Sequence, residues 1–254
     1  MKDDMGHPVD IVGPAQRIVS LVPSLTESIA HTRPETLVGA TDWCTHPADL
    51  DVVRVRGTKN PDRKAIAALN PDLVLANREE NRELDIRKLR EAGIPVWITV
   101  IESVEEACAS LRRLFTEGLQ WQVPGWLDEV EQIWLAPVPP IGARVAIPIW
   151  RDPRMVVGSS TFTGDLARRL GLNNVFGGHA GRYPHVELAD IDRPDIDFVL
   201  LPDEPYIFGV DDGPEAFQST KTMLVSGRSL TWYGPSLVDA HIELNAQLRD
   251  VQAR

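Results

Sequence analysis

The sequence predicts an α/β fold of two lobes, each with a mostly parallel sheet, joined by a single connecting helix. Three observations carry this prediction. Short β-branched or aliphatic runs alternate with helix-period stretches on both sides of a central segment. That central segment, residues 119–140, departs from the pattern and is rich in tryptophan and proline. The flanking halves also echo each other. Arg17-Ile18-Val19 and Arg144-Val145-Ala146 each open a half with an arginine and an apolar strand, 127 positions apart. Pro71-Asp72 and Pro194-Asp195 each lead into an apolar strand, 123 positions apart.

In the first half, strands are expected at 17–22, 37–41, 73–76 and 96–100, with helices at 26–31, 63–69, 81–92 and 104–116. Pro71-Asp72 and Gly93-Ile94-Pro95 punctuate the joins, because proline cannot continue a helix and glycine accepts the left-handed cap. Ser103, with Glu105 and Glu106 behind it, supplies an N-cap and first-turn acids that suit the helix dipole. Cys108 lies between apolar neighbours and reads as a buried thiol. The central segment holds one helix, 126–136, bounded by Pro124 and by Pro137, Pro139 and Pro140. It connects a first lobe at 10–118 to a second at 141–254, and Trp121, Trp126 and Trp134 read as packing residues. The second half has strands at 144–150, 155–158, 197–201 and 223–225. Its helices fall at 164–170, ended by Gly171, and at 236–251.

Composition narrows the function. The 254 residues carry a formal charge of −11, and no Lys/Arg cluster exceeds a pair, which excludes nucleic acid as a main partner. No apolar run approaches the ~18 residues needed to span a bilayer. The N-terminus has neither an apolar h-region nor a lipidation cysteine. The chain as written is therefore expected in the cytoplasm, or in the periplasm or outside the cell if a leader has been removed. Two cysteines, Cys44 and Cys108, make no disulfide framework.

Open parallel sheets bind ligands beyond the carboxyl ends of their strands, so the loops following each strand carry the candidate site. In the first half these loops hold Ser24, Thr26, Trp43, Lys59, Asn77 and Arg78. In the second they hold Trp150, Arg151, Arg182, Tyr183, Glu204, Tyr206, Trp232 and Tyr233. Three of the seven tryptophans and all three tyrosines fall here, which suits stacking on a flat or bulky ligand. The arginines and Lys59 suit its carboxylate or phosphate groups. Cys44-Thr45-His46 is the one close Cys/His pair: either Cys44 and His46 approach a metal, with His179 or His185 as further ligands, or a packed cysteine sits beside a loop histidine. The acidic runs around Asp190–Asp197 and Asp203–Asp212 read as solvated surface.

Enzyme motifs fail on mechanism. Gly158-Ser159-Ser160-Thr161-Phe162-Thr163-Gly164-Asp165 resembles a phosphate loop, but has five residues between the glycines and an acid where the lysine belongs. Asp165 after Thr163 makes a good helix start instead. There is no nucleophile elbow and no dinucleotide fingerprint. A metal-inserting chelatase, the enzymatic alternative, would have to draw on His46, His185 and Glu204; a degenerate interaction module would show an empty, non-binding cleft.

Several stretches together resemble one family. They are Arg17-Ile18-Val19-Ser20-Leu21-Val22-Pro23-Ser24-Leu25-Thr26-Glu27, Leu69-Asn70-Pro71-Asp72-Leu73-Val74-Leu75 and Ala92-Gly93-Ile94-Pro95-Val96, then Gly171-Leu172-Asn173-Asn174-Val175-Phe176 and Tyr183-Pro184-His185-Val186. In order and spacing they look like the helical-backbone (class III) substrate-binding proteins of ABC importers, closest to the cobalamin and ferric-siderophore receptors. The resemblance implies a periplasmic-binding-protein-like architecture with a ligand held between the lobes. It implies no intrinsic cofactor; the ligand would be cobalamin, haem or a ferric siderophore. It also implies an ABC permease as partner, docked through one carboxylate on each lobe, for which Asp62 and Asp190 are the nearest matches.

Overall fold

The computed structural model describes residues 1–137 and 142–252. They form two compact units. The first comprises Met1–Ile101, Glu105–Val130 and Tyr233–Pro235; the second comprises Glu102–Val104, Glu131–Trp232 and the chain from Ser236. The α/β class and the parallel sheets are as expected. Pro139 and Pro140, the end of the expected connector, and the last two residues of the expected second lobe lie outside the described residues.

The first unit has a five-stranded parallel sheet of order β3-β2-β1-β4-β5, built from β1 (Ile18–Ser20), β2 (Leu37–Ala40), β3 (Val53–Arg54), β4 (Leu73–Asn77) and β5 (Val96–Thr99). β1, β4 and β5 are buried throughout, which is why they read as unbroken apolar runs rather than alternating ones. Around them lie α1 (Pro23–Thr32), α2 (Arg63–Ala68), α3 (Glu83–Glu91) and α4 (Val104–Arg113), the last continuing into a π turn, Leu114–Gly118. The core joins Val19, Val74 and Ile98 of the sheet, and Leu21 just after β1, to Ile66 of α2 and to Ile86 and Leu89 of α3. Residues 1–9, ahead of the expected first lobe, are also part of this unit. Asp3 accepts from Met5 N (3.0 Å), His7 N (2.8 Å) and Arg90 Nη2 (2.7 Å). Asp4 accepts from Val100 N (3.1 Å) and Arg113 Nη1 (2.6 Å).

The helix α5 (Gly125–Trp134) divides between the units after Val130. The second unit has a four-stranded parallel sheet of order β11-β10-β6-β9, from β6 (Arg144–Ala146), β9 (Asn173–Asn174), β10 (Phe198–Pro202) and β11 (Lys221–Val225). The strand expected at 144–150 is two: β6 pairs parallel with β10, whereas β7 (Pro148–Arg151) pairs antiparallel with β8 (Arg154–Val156) as a hairpin. Pro148 lacks the N–H that a continuing strand would place in the ladder. The unit's helices are α6 (Phe162–Arg169), α7 (Leu188–Ile191), α8 (Gly227–Thr231) and α9 (Ser236–Gln252).

The repeated landmarks have a physical basis in each unit. Asp72 accepts the backbone N–H of Gln16 (2.8 Å) and Arg17 (2.9 Å), fixing the start of β1 beside β4. Asp197 accepts the N–H of Arg144 (2.7 Å), while the Arg144 guanidinium grips Asp195, fixing β6 beside β10. α3 and α6 also end alike, at Gly93 (φ +78°) and Gly171 (φ +77°), each followed by an apolar residue whose N–H turns back to the helix.

Candidate functional site

In the first unit, β2 and β3 lie on one side of β1, and β4 and β5 on the other. The winding reverses between β1 and β4, and the crevice beyond their carboxyl ends is the expected ligand position. Ser24 and Thr26 are buried there in the first turns of α1. Thr26 Oγ1 lies 2.9 Å from Val22 O and 3.0 Å from Cys44 Sγ, and Thr41 Oγ1 lies 3.1 Å from the same sulfur. Burial pushes the Cys44 thiol pKa up, against the smaller opposite pull of Thr26 and Thr41. His46, half-buried in the same loop, has Nδ1 3.1 Å from Thr45 Oγ1. Among the described residues no group of three or more His, Cys, Asp or Glu is placed to hold a metal. The cysteine packs inward against two threonines, and the loop has the packed-thiol arrangement.

Two asparagines tie these loops together. Asn77 Nδ2 donates to Thr99 Oγ1 (3.1 Å), and its Oδ1 accepts from Glu79 N (2.8 Å). Asn81 Oδ1 accepts from Asn77 N (2.8 Å), while its Nδ2 donates to Thr58 O (3.0 Å) and Leu21 O (3.3 Å). Lys59 Nζ adds a bond to Glu79 O (2.5 Å). Asn81 and Thr99 were not expected as site residues. Their sequence signal, a polar residue where a loop or strand end is buried, emerges only once the loops meet. Of the expected residues at this edge, Trp43, Lys59 and Arg78 are exposed, with Trp43 65% accessible. Gly57 permits that geometry, since a Cβ there would come 3.3 Å from Trp43 Nε1 and 2.5 Å from Asn60 Oδ1.

Tyr233 belongs to the first unit but is buried, with its hydroxyl facing Thr99 and Asn77; burial and the nearby Glu80 hold its pKa well above the ordinary tyrosine value. Trp232, in the second unit, is also buried. Neither offers the open stacking face expected of it.

In the second unit, Trp150 on β7 is 42% exposed and meets Tyr206 edge-on, 5.6 Å between centroids; Tyr206 in turn packs on Phe208 at 4.7 Å. Tyr206 OH donates to Asp212 (2.7 Å), and Arg151 is ion-paired with both Asp212 and Glu215. Burial raises the Glu215 carboxyl, but the Gly213 N–H and Arg151 outweigh it and leave the pKa below the ordinary value. Arg151 therefore braces the 206–215 loop. Arg182 pairs with Glu102 and lies 6.0 Å from the Tyr183 ring centroid. Glu204, half-buried after β10, packs against Gly227, where a Cβ would come within 2.3 Å of Glu204 Cγ. Exposed Ile207 and Val210 extend the apolar surface of this loop.

The two expected docking acids are both helix caps. Asp62 accepts from Lys64 N and Ala65 N (3.1 Å each) at the start of α2. The Ala65 N–H is the largest cause of its lowered pKa, which burial opposes and Arg56 supports. Asp190 accepts from Glu187 N (2.9 Å) in a capping box on α7. The false phosphate loop is a helix start, as read from the sequence. Thr161 caps α6 through Gly164 N (3.1 Å), and Asp165 is held by Arg168 and Arg169.

Two α/β units with parallel sheets are the fold seen in solved periplasmic binding proteins. Among proteins of known function, the chain is similar to the vitamin B12-binding protein of Pectobacterium atrosepticum, 25% identical over 93% of this chain and 90% of that one. Its fold matches the periplasmic vitamin B12 binding protein BtuF of Vibrio cholerae with a TM-score of 0.71, at 18% identity over 95% and 99% of the two chains. It also matches the periplasmic heme-binding protein RhuT of Roseiflexus sp. RS-1 with a TM-score of 0.75, at 21% identity over 93% and 99%. No family model matches the chain.

Proposed function

We propose that this chain is a non-enzymatic binding protein for a cobalamin-like, haem or ferric-siderophore ligand, the receptor component of an ABC importer. The observation that carries this reading is the similarity to a vitamin B12-binding protein along nearly the whole of both chains. The site chemistry supports it. Trp43 and Trp150 offer exposed aromatic faces, while Lys59 and Arg78 bring positive charge to the exposed edge of the first unit, suited to the acidic groups that such ligands carry. In the proposed organisation α5 is the connector between the lobes, and Asp62 and Asp190 present the carboxylates for a permease. The periplasmic relatives support a periplasmic placement over the cytoplasmic one expected from the N-terminal sequence; fractionation of cells expressing the native gene tests it. No helix among the described residues is long and apolar enough to cross a membrane.

The test is calorimetric titration with cyanocobalamin, hemin and a ferric siderophore, with a turnover assay using metal ion and metal-free porphyrin alongside. Saturable one-to-one binding of one ligand without turnover is the expected result. Metal insertion into the porphyrin would replace the receptor reading with the chelatase.

A further inference from the structure

The crevice at the winding reversal of the first sheet is filled by the chain itself. Tyr233–Pro235 is a three-residue strap that belongs to the first unit although it follows Ser24 by more than two hundred residues. The Tyr233 N–H donates to Ser24 Oγ (3.3 Å) in the first turn of α1. Gly234, at φ +150°, lies directly on that helix: a Cβ there would come 2.7 Å from Ser28 Oγ and 3.3 Å from Ser24 O. Only glycine combines this backbone conformation with so close an approach. The ring of Tyr233 is buried. Its hydroxyl faces Asn77 and Thr99, at the carboxyl ends of β4 and β5. The slot therefore has a polar floor for a hydroxyl and a backbone anchor at its mouth.

We infer that this crevice is a phenol-binding pocket occupied in cis by Tyr233, with the Tyr233–Pro235 strap acting as an intramolecular ligand. A free ligand is then excluded from the crevice, and its contacts with this unit are confined to the exposed rim of Trp43, Lys59 and Arg78. The inference goes beyond the proposed ligand class and stands or falls separately from it.

Removing the ring and returning it in solution tests the pocket. Tyr233→Ala is expected to melt several degrees below the wild type, and millimolar phenol to restore much of that loss in a saturable way. Toluene, which has the ring but no hydroxyl, should restore less, and the wild type should gain from neither. An equal response of variant and wild type, or toluene matching phenol, overturns the inference. Should Tyr233→Ala not fold, ultraviolet titration of the wild type against Tyr233→Phe decides the matter. The difference between them should show phenolate only far above the ordinary tyrosine range, since Tyr233 is buried and Glu79 and Glu80 face it. Ionisation of Tyr233 in the ordinary range overturns the pocket.

Discussion

Replacing Asn81 tests whether the carboxyl-end loops of the first sheet are held as one piece. Its side chain makes three bonds: it accepts from Asn77 N at 2.8 Å and donates to Thr58 O at 3.0 Å and Leu21 O at 3.3 Å. The residue is buried, so water does not replace what is lost. At roughly 1 kcal/mol net for each bond, Asn81→Ala should cost about 3 kcal/mol. At roughly 2–4 °C per kcal/mol, that lowers the melting temperature by about 6–12 °C. Asn81→Asp is the sharper variant. It preserves shape and the accepted bond but turns a carboxylate oxygen toward two carbonyl oxygens. Its folded-state pKa is then raised, so the destabilisation is full at neutral pH and eases as the pH falls and the carboxyl gains an O–H to donate. Urea denaturation across pH measures both variants. A loss below about 0.5 kcal/mol for each, the range of an ordinary surface change, would refute the idea that Asn81 fastens these loops.

Four further outcomes are expected. Gly158→Ala should displace the loop carrying Arg182 and Tyr183, because a Cβ there would meet Gly181 O at 2.2 Å; ligand titration should show weakened affinity, and unchanged affinity would remove that loop from the site. Trp43→Ala should leave the melting temperature unchanged, since the ring is largely exposed, yet weaken ligand binding by about 0.5–1.5 kcal/mol, read by calorimetry. Asp192 is pushed up by burial, but the N–H groups of Gln218, Ser219 and Thr220 outweigh this and hold its pKa down. Its contribution is therefore present above the unfolded value of about 4 and is lost as pH falls through the lower folded value. Asp192→Asn should thus destabilise at neutral pH, with the gap closing in acid, as followed by thermal melts. Finally, Cys44 and Cys108 are both buried, and a disulfide reagent should label neither until the protein is unfolded; prompt labelling of the native protein would contradict the packed-thiol arrangement.

The fold was legible where burial is two-sided. β1, β4, β5 and β10 are buried at every position and show as apolar runs. β3 and β9 have two residues each, too few to leave a period. The 144–150 run hid a change of partner at Pro148, because hydrophobicity alone does not say which neighbour a strand pairs with. For the site, position after a strand picks out the loops at the carboxyl ends of the sheets but not the direction of each side chain. Trp43 and Trp150 point outward, whereas Ser24, Thr26, Asn77, Trp232 and Tyr233 point inward. Arg151 suits the acidic groups of a ligand by sequence, yet Asp212 and Glu215, more than sixty positions later, pair with it. Such pairings arise from tertiary structure and leave no mark on local sequence.

The central claim, a stoichiometric receptor for a large metal-chelate ligand, is tested most directly by calorimetric titration of the purified chain with cyanocobalamin and hemin. One-to-one saturation by one of them, weakened by Trp43→Ala, is the expected result. Absence of heat and of tryptophan quenching with both, and with a ferric siderophore, from a folded protein would contradict it.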